Sequence, residues 1–283
     1  MGFKALATDV DRTLTDDDLL LDLQAVRTIR LLEEAGVRVI LLSGRDLATV
    51  GSLALYLGAC GLVAAEDGAL VGSLGGAFGF SLRMMADVGR VRAGLAALKE
   101  AFGAKVREYH IPARVASLVL SRELDLAAAN DLLARRGVPA KVVDSGLACE
   151  LCDADVDKGR GLIEAAASLG VDPADVAAVG DNFNDVEMFE AAGWSAAVAN
   201  APEDVKARAD YVCRHPYGRG FVEAVRRAVE LFRPDLAGLP WPDPEAVEEP
   251  GAGLPPEKER AARTESAGPR RAFGGRAAGG AET

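Results

Sequence analysis

The sequence predicts an α/β protein: a doubly wound parallel sheet core, a small α+β cap inserted into it, and a disordered C-terminal tail. Three observations carry this. The chain opens with a short apolar strand, an amphipathic helix and an almost wholly apolar strand, the order of a parallel sheet covered on both faces. Between about Ser81 and Asp155 the texture changes to an αββαββ order, and the strand and helix alternation then resumes. From about Arg233 the chain holds more than half of its 13 prolines and loses any sustained apolar period.

"FKALATDV" reads as the first buried strand. "LDLQAVRTIRLLEEAG" reads as a helix with Leu23, Val26, Ile29 and Leu32 on one face and Gly36 as its stop. "VRVILLSG" is the second strand, and "CGLVAAEDGALVGSLGGAFGF" a further strand with a Gly-turned hairpin. The inserted module follows: helix "MMADVGRVRAGLAALKEAFG", strands "KVREY" and "RVASLVLS", helix "DLAAANDLLARRG", strands "AKVVD" and "LACELC". This order predicts a small antiparallel sheet with two helices. The core then continues through helix "KGRGLIEAAASLG", strand "VAAVGD", helix "NDVEMFEAAG", strand "SAAVAN", helix "PEDVKARA", strand "DYVC" and a closing helix "FVEAVRRAVELF". The expected divisions are residues 1–80 and 156–232 for the core, 81–155 for the cap and 233–283 for the tail. The tail cannot bury enough apolar surface to offset the entropy of ordering it, apart from a short docked piece around Trp241.

With 283 residues, 49% hydrophobic, a net charge of -11 and a pI near 4.8, the chain lacks the basic field that nucleic acid or an anionic membrane requires. No apolar run reaches the length of a membrane span, and the N-terminus has neither the long apolar core nor the cleavage site of a signal peptide. Four cysteines, Cys60, Cys149, Cys152 and Cys213, are too sparse for a disulfide framework. A cytoplasmic location is expected. The C-x-x-C spacing of Cys149 and Cys152 has no second pair, so both are expected to be small apolar side chains on a strand.

In an open α/β sheet, ligands bind beyond the carboxyl ends of the strands. After the first strand come Asp9, Asp11 and Thr13; after the second, Ser43, Gly44 and Arg45; after "VAAVG", Asp181, Asn182, Asn184 and Asp185. Lys158 opens the helix before that last strand. Two carboxylates about 4 Å apart repel by roughly 4 kcal/mol at an effective dielectric near 20, so four on one edge call for a cation. Hard oxygen ligands without His or Cys point to Mg²⁺. Lys158 and Ser43 would then face phosphate oxygens, which makes a phosphoryl-transfer site. A carboxylate can itself attack phosphorus, so Asp9 is the expected nucleophile and Asp11 the acid that protonates the leaving alkoxide and later activates water.

The segments "DVDRT", "LLSGR", "DKGRGL" and "GDNFND" resemble, in order, the four motifs of the haloacid dehalogenase superfamily of phosphotransferases. The resemblance spans roughly Phe3 to Phe232, on both sides of the insertion. It implies that Asp9 is nucleophile and metal ligand, and that Asp11 is acid/base with its backbone carbonyl on Mg²⁺. It further implies that Asp181 and Asp185 complete the metal shell and that Lys158, Ser43, Gly44 and Asn184 bind substrate. The short cap, "DVDRTLT" and the "GDNxND" loop look most like the archaeal-type phosphoglycolate phosphatases of that superfamily. This implies hydrolysis of a small phosphorylated partner, 2-phosphoglycolate, with a homodimer left open. Most of the superfamily has Gly where this chain has Arg12, which is expected to be solvated, with contact to a substrate carboxylate as the alternative.

Plainer roles exist for each residue: Ser43 as a turn residue, Lys158 as a helix-end charge, Asp181 and Asp185 as caps. All four together, at strand and helix ends in that order, favour the site. A receiver-type signalling module also gathers acids and a Lys, but there an acidic pair follows the first strand, the phosphorylated Asp a later one, and the Lys comes near the end; here Lys158 precedes the last acidic pair and the cap would have no role. A sugar-phosphate phosphatase or phosphomutase on the same scaffold stays open, because the motifs do not distinguish water from a sugar hydroxyl as acceptor.

Overall fold

The computed structural model describes residues 2–75, 79–144 and 149–245. Eight strands form the main sheet in the order β12-β11-β10-β1-β2-β3-β4-β5. They are β1 (Ala5–Thr8), β2 (Arg38–Leu42), β3 (Leu62–Ala65), β4 (Leu70–Leu74), β5 (Phe80–Met84), β10 (Val176–Gly180), β11 (Trp194–Ala197) and β12 (Tyr211–Val212). The six strands from β12 to β3 are parallel, and β4 and β5 return antiparallel. The central strand β1 therefore pairs with β2 from before the insertion and with β10 from after it.

Alternation along the strands divides the core in two. Leu6, Val39 and Leu41 face one side, where they pack with Ile29 and Leu32 of α1 (Leu23–Glu34), Val50 and Leu57 of α2 (Leu47–Leu57) and Phe221 and Val225 of α8 (Tyr217–Phe232). Ala5, Ala7, Ile40 and Leu42 face the other, against Leu162 and Ala165 of α5 (Lys158–Leu169) and Met188 and Phe189 of α6 (Val186–Ala191). The buried stripe of α1 is Ala25, Thr28, Ile29 and Leu32, while Leu23, expected on it, is exposed. Leu23 is the first residue of the helix, directly after the Asp22 cap, and precedes the buried stripe. The short helix α7 (Glu203–Lys206) connects β11 to β12.

The insertion has the expected αββαββ order: α3 (Val88–Phe102), β6 (Glu108–Tyr109), β7 (Leu118–Leu120), α4 (Leu126–Arg135), β8 (Ala140–Asp144) and β9 (Cys149–Asp153). Its sheet is antiparallel in the order β6-β7-β9-β8, and it packs its own core of Val91, Leu98, Leu133, Val142 and Leu151. The boundary at Ser81 moves, because "FSLRM" pairs along β4 and belongs to the main sheet. The helix expected from Met84 starts at Val88, where the Asp87 side chain accepts from Gly89 N and caps it.

The docked piece expected around Trp241 is present and extends back to Arg233. Residues 233–245 dock on the core: Leu236 and Trp241 pack against it, the Trp241 indole N–H donates to Leu236 O at 2.9 Å, and Arg219 Nε donates to Pro244 O at 2.6 Å. The rest of the expected tail, 246–283, lies outside the described residues. Cys149 and Cys152 are buried free thiols on β9, as expected, and burial pushes the Cys152 thiol well up. Among the described residues, no helix is long and apolar enough to cross a membrane.

Candidate active site

Strand register assembles the site. Thr8 lies level with Val179 of β10 and Leu41 of β2, and Asp9 N donates to Val179 O at 3.0 Å. Asp9, Ser43 and Asp181 thus emerge at neighbouring strand ends, at the point where sheet order reverses around β1. Asp185 is brought back to this edge by a tight turn in which its Oδ2 accepts from Asp181 N and Asn182 N at 2.9 and 3.0 Å. That return needs Gly180, since a Cβ there would stand 2.5 Å from the Asp185 carboxyl group.

Lys158, the first residue of α5 behind the Asp157 cap, is fully buried. Its Nζ donates to Asp9 Oδ1 at 2.5 Å and to Asp185 Oδ1 at 2.6 Å. Carboxylate oxygens of Asp9, Asp181 and Asp185 lie within 4.8 Å of one another. One ammonium thus bonds two of three clustered carboxylates, and among the described residues Asp181 accepts only long contacts from Thr13 Oγ1 and Asn200 Nδ2, both at 3.4 Å. Burial, with Asp185 alongside, pushes the Asp9 carboxyl well above the usual carboxylate range and Asp181 up to about 7. Burial alone would lower the Lys158 ammonium, but Asp185 and Asp9 outweigh it and hold it well above its ordinary value. The asymmetry identifies the cluster as short of positive charge. Hard, buried oxygen donors in excess fit a small divalent cation, and Asp9, Asp181 and Asp185 are the residues that could hold it.

Asp11 stands apart from that cluster. Arg45 grips it with Nε and Nη2, both at 2.7 Å. Asp9, Asp11, Gly44, Asp181 and Asn184 line a cleft of about 250 Å³ roofed by Ile111, Arg114, Val119 and Glu150 of the cap. Ser43 is buried beside it, its Oγ accepting from Arg45 N at 3.2 Å. Asn184 donates to Asp67 Oδ1 at 2.9 Å. Arg12 adopts φ +64°, the left-handed region that favours glycine. Its Nε donates to Asp17 at 3.0 Å, so the half-exposed guanidinium is held at the rim of the cleft.

Several residues missed in the sequence also converge here. The third strand ends in "AEDG", and its turn delivers Glu66 and Asp67. Asp67 Oδ2 is buried with no hydrogen-bond partner. Asn200, just after β11, donates to Arg12 O at 3.0 Å and weakly to Asp181 at 3.4 Å. Extending the strand-end rule to these two strands would have found them. Glu150, on the cap, carries no such signal, whereas Arg114 is one of three arginines, with Arg83 and Arg107, that the sequence offers for a substrate carboxylate without ranking them.

A model of the haloacid dehalogenase-like hydrolases matches residues 6–77 and 123–225. The chain belongs to that family. It is 38% identical over 231 residues to a phosphoglycolate phosphatase of Methanoculleus marisnigri, covering 79% of this chain and 96% of the relative. A phosphoglycolate phosphatase of Methanothermobacter thermautotrophicus is 35% identical, with 79% and 98% covered. The crystal structure of a Thermoplasma acidophilum protein superposes with a TM-score of 0.69 at 25% identity, covering 82% of this chain and 99% of that one. This haloacid dehalogenase-like hydrolase is an enzyme, a phosphatase; the matched segments cover the core on both sides of the cap together with the cap's second half, and the gap between them holds the cap's α3, β6 and β7.

Proposed function

We propose that the protein is a Mg²⁺-dependent phosphomonoesterase that works through an aspartyl-phosphate and converts 2-phosphoglycolate to glycolate and phosphate. The observation that carries this is the Asp9–Lys158–Asp185 bridge beside Asp181 at the sheet's carboxyl edge. The names of the archaeal relatives support the substrate. The partner is a small phosphorylated molecule.

Asp9 Oδ attacks phosphorus, and the bond between phosphorus and the ester oxygen breaks. The departing alkoxide takes a proton from Asp11. Water then attacks the phosphorus of the aspartyl-phosphate, Asp11 accepts its proton, and the Asp9–phosphorus bond breaks to release phosphate. To carry a proton, Asp11 has to free one of the two oxygens that Arg45 now holds. Lys158 and Ser43 would neutralise and hold the phosphoryl oxygens. Bound Mg²⁺, held by Asp9, Asp181, Asp185 and the Asp11 carbonyl, would offset the carboxylate excess and the substrate's charge.

A second class of substrate has one observation in its favour. The unpartnered Asp67 Oδ2 and the nearby Glu150 are acceptors, which suit the hydroxyl groups of a sugar phosphate. Phosphate release with Mg²⁺ from 2-phosphoglycolate, hexose and triose phosphates, with Asp9→Asn alongside, separates the two. Preference for phosphoglycolate, lost in the variant, is expected; preference for a hexose phosphate would keep the mechanism and replace the substrate. Turnover by Asp9→Asn would overturn the mechanism. We infer a cytoplasmic location, supported by four free thiols.

A further inference from the structure

Phosphoglycolate carries a second anion, a carboxylate one methylene away from the ester oxygen, so any group that recognises it has to lie close to the phosphate. We propose that Arg114 recognises this carboxylate and sets specificity, and that Glu150 occupies its guanidinium when substrate is away. The inference rests on the phosphoglycolate reading above.

The sequence offers three arginines in and beside the insertion, Arg83, Arg107 and Arg114, as candidates for a substrate carboxylate, and the structure separates them, Arg83 lying on β5 of the main sheet. Arg83 is 66% exposed and pairs with Glu164 on the outer sheet edge; Arg107 is 61% exposed and pairs with Glu123. Arg114 is 10% exposed and lines the cleft with Asp9 and Asp11. Its Nη2 donates to the carbonyl of Gly44, the residue next to Ser43, which places a fixed positive charge one residue from the phosphate position. The other two arginines of the cleft are engaged elsewhere, Arg45 with Asp11 and Arg12 with Asp17.

Arg114 already displays the recognition. Glu150 lies across its fork, with Nη1 to Oε2 at 2.6 Å and Nη2 to Oε1 at 3.0 Å, the bidentate geometry that distinguishes a guanidinium from an ammonium. Nη1 also donates to Ser117 Oγ at 2.8 Å. Among the described residues, only the Nε–H lacks an acceptor. A short substrate carboxylate can take that donor and compete with Glu150 for the rest.

The loop that bears Arg114 is anchored from the core. The fully buried Glu66 carboxylate accepts from Val115 N, Ala116 N, Ser117 N and Ser117 Oγ at 2.9, 3.0, 2.7 and 2.7 Å. Three successive backbone N–H groups converge on one anion, which fixes the loop against the site. Glu66 is therefore a positioning residue for Arg114. A buried ion pair tied to a fixed loop is a more exact reader of a one-methylene spacer than a long exposed side chain.

The test is the ratio of kcat/KM for 2-phosphoglycolate to that for ethyl phosphate, which lacks the carboxylate. The ratio is measured in the wild type, in Arg114→Met with Glu150→Met, and in Glu150→Gln. Removing both partners avoids leaving a buried carboxylate alone, and a ratio is insensitive to a general loss of active protein. A fall of about 10- to 100-fold in the double variant is expected, the loss of a charge-assisted hydrogen bond. A several-fold rise in Glu150→Gln is expected from relieved competition. A wild type that prefers phosphoglycolate and a double variant that keeps the preference would overturn the assignment of Arg114 alone. An unchanged ratio in Glu150→Gln would overturn the role of Glu150. A wild type without preference would remove the phosphoglycolate reading and this inference together.

Discussion

Two of the places where this molecule buries carboxylates treat them oppositely. On α8, Glu223 accepts from Tyr211 Oη at 2.7 Å, from Arg214 N and His215 N at 3.0 and 3.1 Å, and meets His215 Nδ1 at 2.6 Å. Burial pushes this carboxyl up, but the donors from Tyr211, His215 and the backbone outweigh it and hold it below its ordinary value. At the strand ends, Asp9 and Asp185 share one ammonium with Asp181 close by, and burial together with the neighbouring carboxylates pushes Asp9 and Asp181 up. A carboxylate surrounded by donors ties chain to chain; a carboxylate group left short of them is a binding site held ready at a cost in stability.

The contrast breaks first on turnover. Asp9→Asn should lower kcat by at least about 10³-fold while the protein stays folded, measured by phosphate release and circular dichroism. Glu223→Gln should do the reverse: it strips a donor-rich acceptor and costs about 2–4 kcal/mol in urea unfolding, with kcat unchanged. Because the Glu223 pKa is depressed in the fold, its stabilisation is present at neutral pH and is lost as pH falls below about 4. The penalty of Glu223→Gln should therefore shrink toward pH 3. A penalty that grows there would end the comparison.

Asp181 has the opposite sign. Its raised pKa makes the folded state's advantage greatest below about pH 4, and that advantage is lost as pH rises through about 7. Without metal, Asp181→Asn should stabilise the chain by about 1–3 kcal/mol at pH 8 and by nothing at pH 4. In the wild type, the Tm gain on adding Mg²⁺ should grow from pH 5 to 8. A Mg²⁺ shift that is flat with pH, or a destabilised Asp181→Asn, would show that the cluster is not charge-starved. The smallest effect concerns Arg12→Gly. Relief of the left-handed backbone is offset by glycine's unfolded-state entropy, so the gain should stay below about 1 kcal/mol, with the KM for phosphoglycolate unchanged.

Much of this was legible in the sequence because strand ends are local signals. An apolar run followed by Asp9, Ser43 or Asp181 marks both the element and the side chain at its edge, and sheet topology brings such edges together. What local pattern could not show was pairing across layers. Leu23 sits on the apolar stripe of a helical wheel, yet it lies at the end of α1 and is exposed. In sequence, Ser81 to Met84 follow a glycine-rich stretch and look like the start of a new module, but their partner is β4. Asp11 gave no hint of Arg45, nor Arg114 of Glu150, since ion pairs between distant segments depend on tertiary approach. Lys158 illustrates the limit from the other side. Its identity was clear from "DKGRGL", whereas its engagement with Asp9 and Asp185 required the folded chain.

The pairing of β1 with both β2 and β10 has a consequence for how the protein is made. Ala5 is level with Arg38 on one side and with Val176 on the other, so one edge of the central strand waits for the whole cap to be synthesised. Until then "ALAT" presents unpaired N–H and C=O groups beside an apolar face, the kind of edge that recruits other chains. The nascent chain has its nucleophile before the insertion is made, but it gains Lys158 and Asp181 only after the insertion has left the ribosome. Activity and protection from aggregation therefore arrive in the same late step, when β10 docks. Long-range pairing of this kind is slow, and the expected bottleneck in producing the protein is closure of that strand pair rather than formation of the cap.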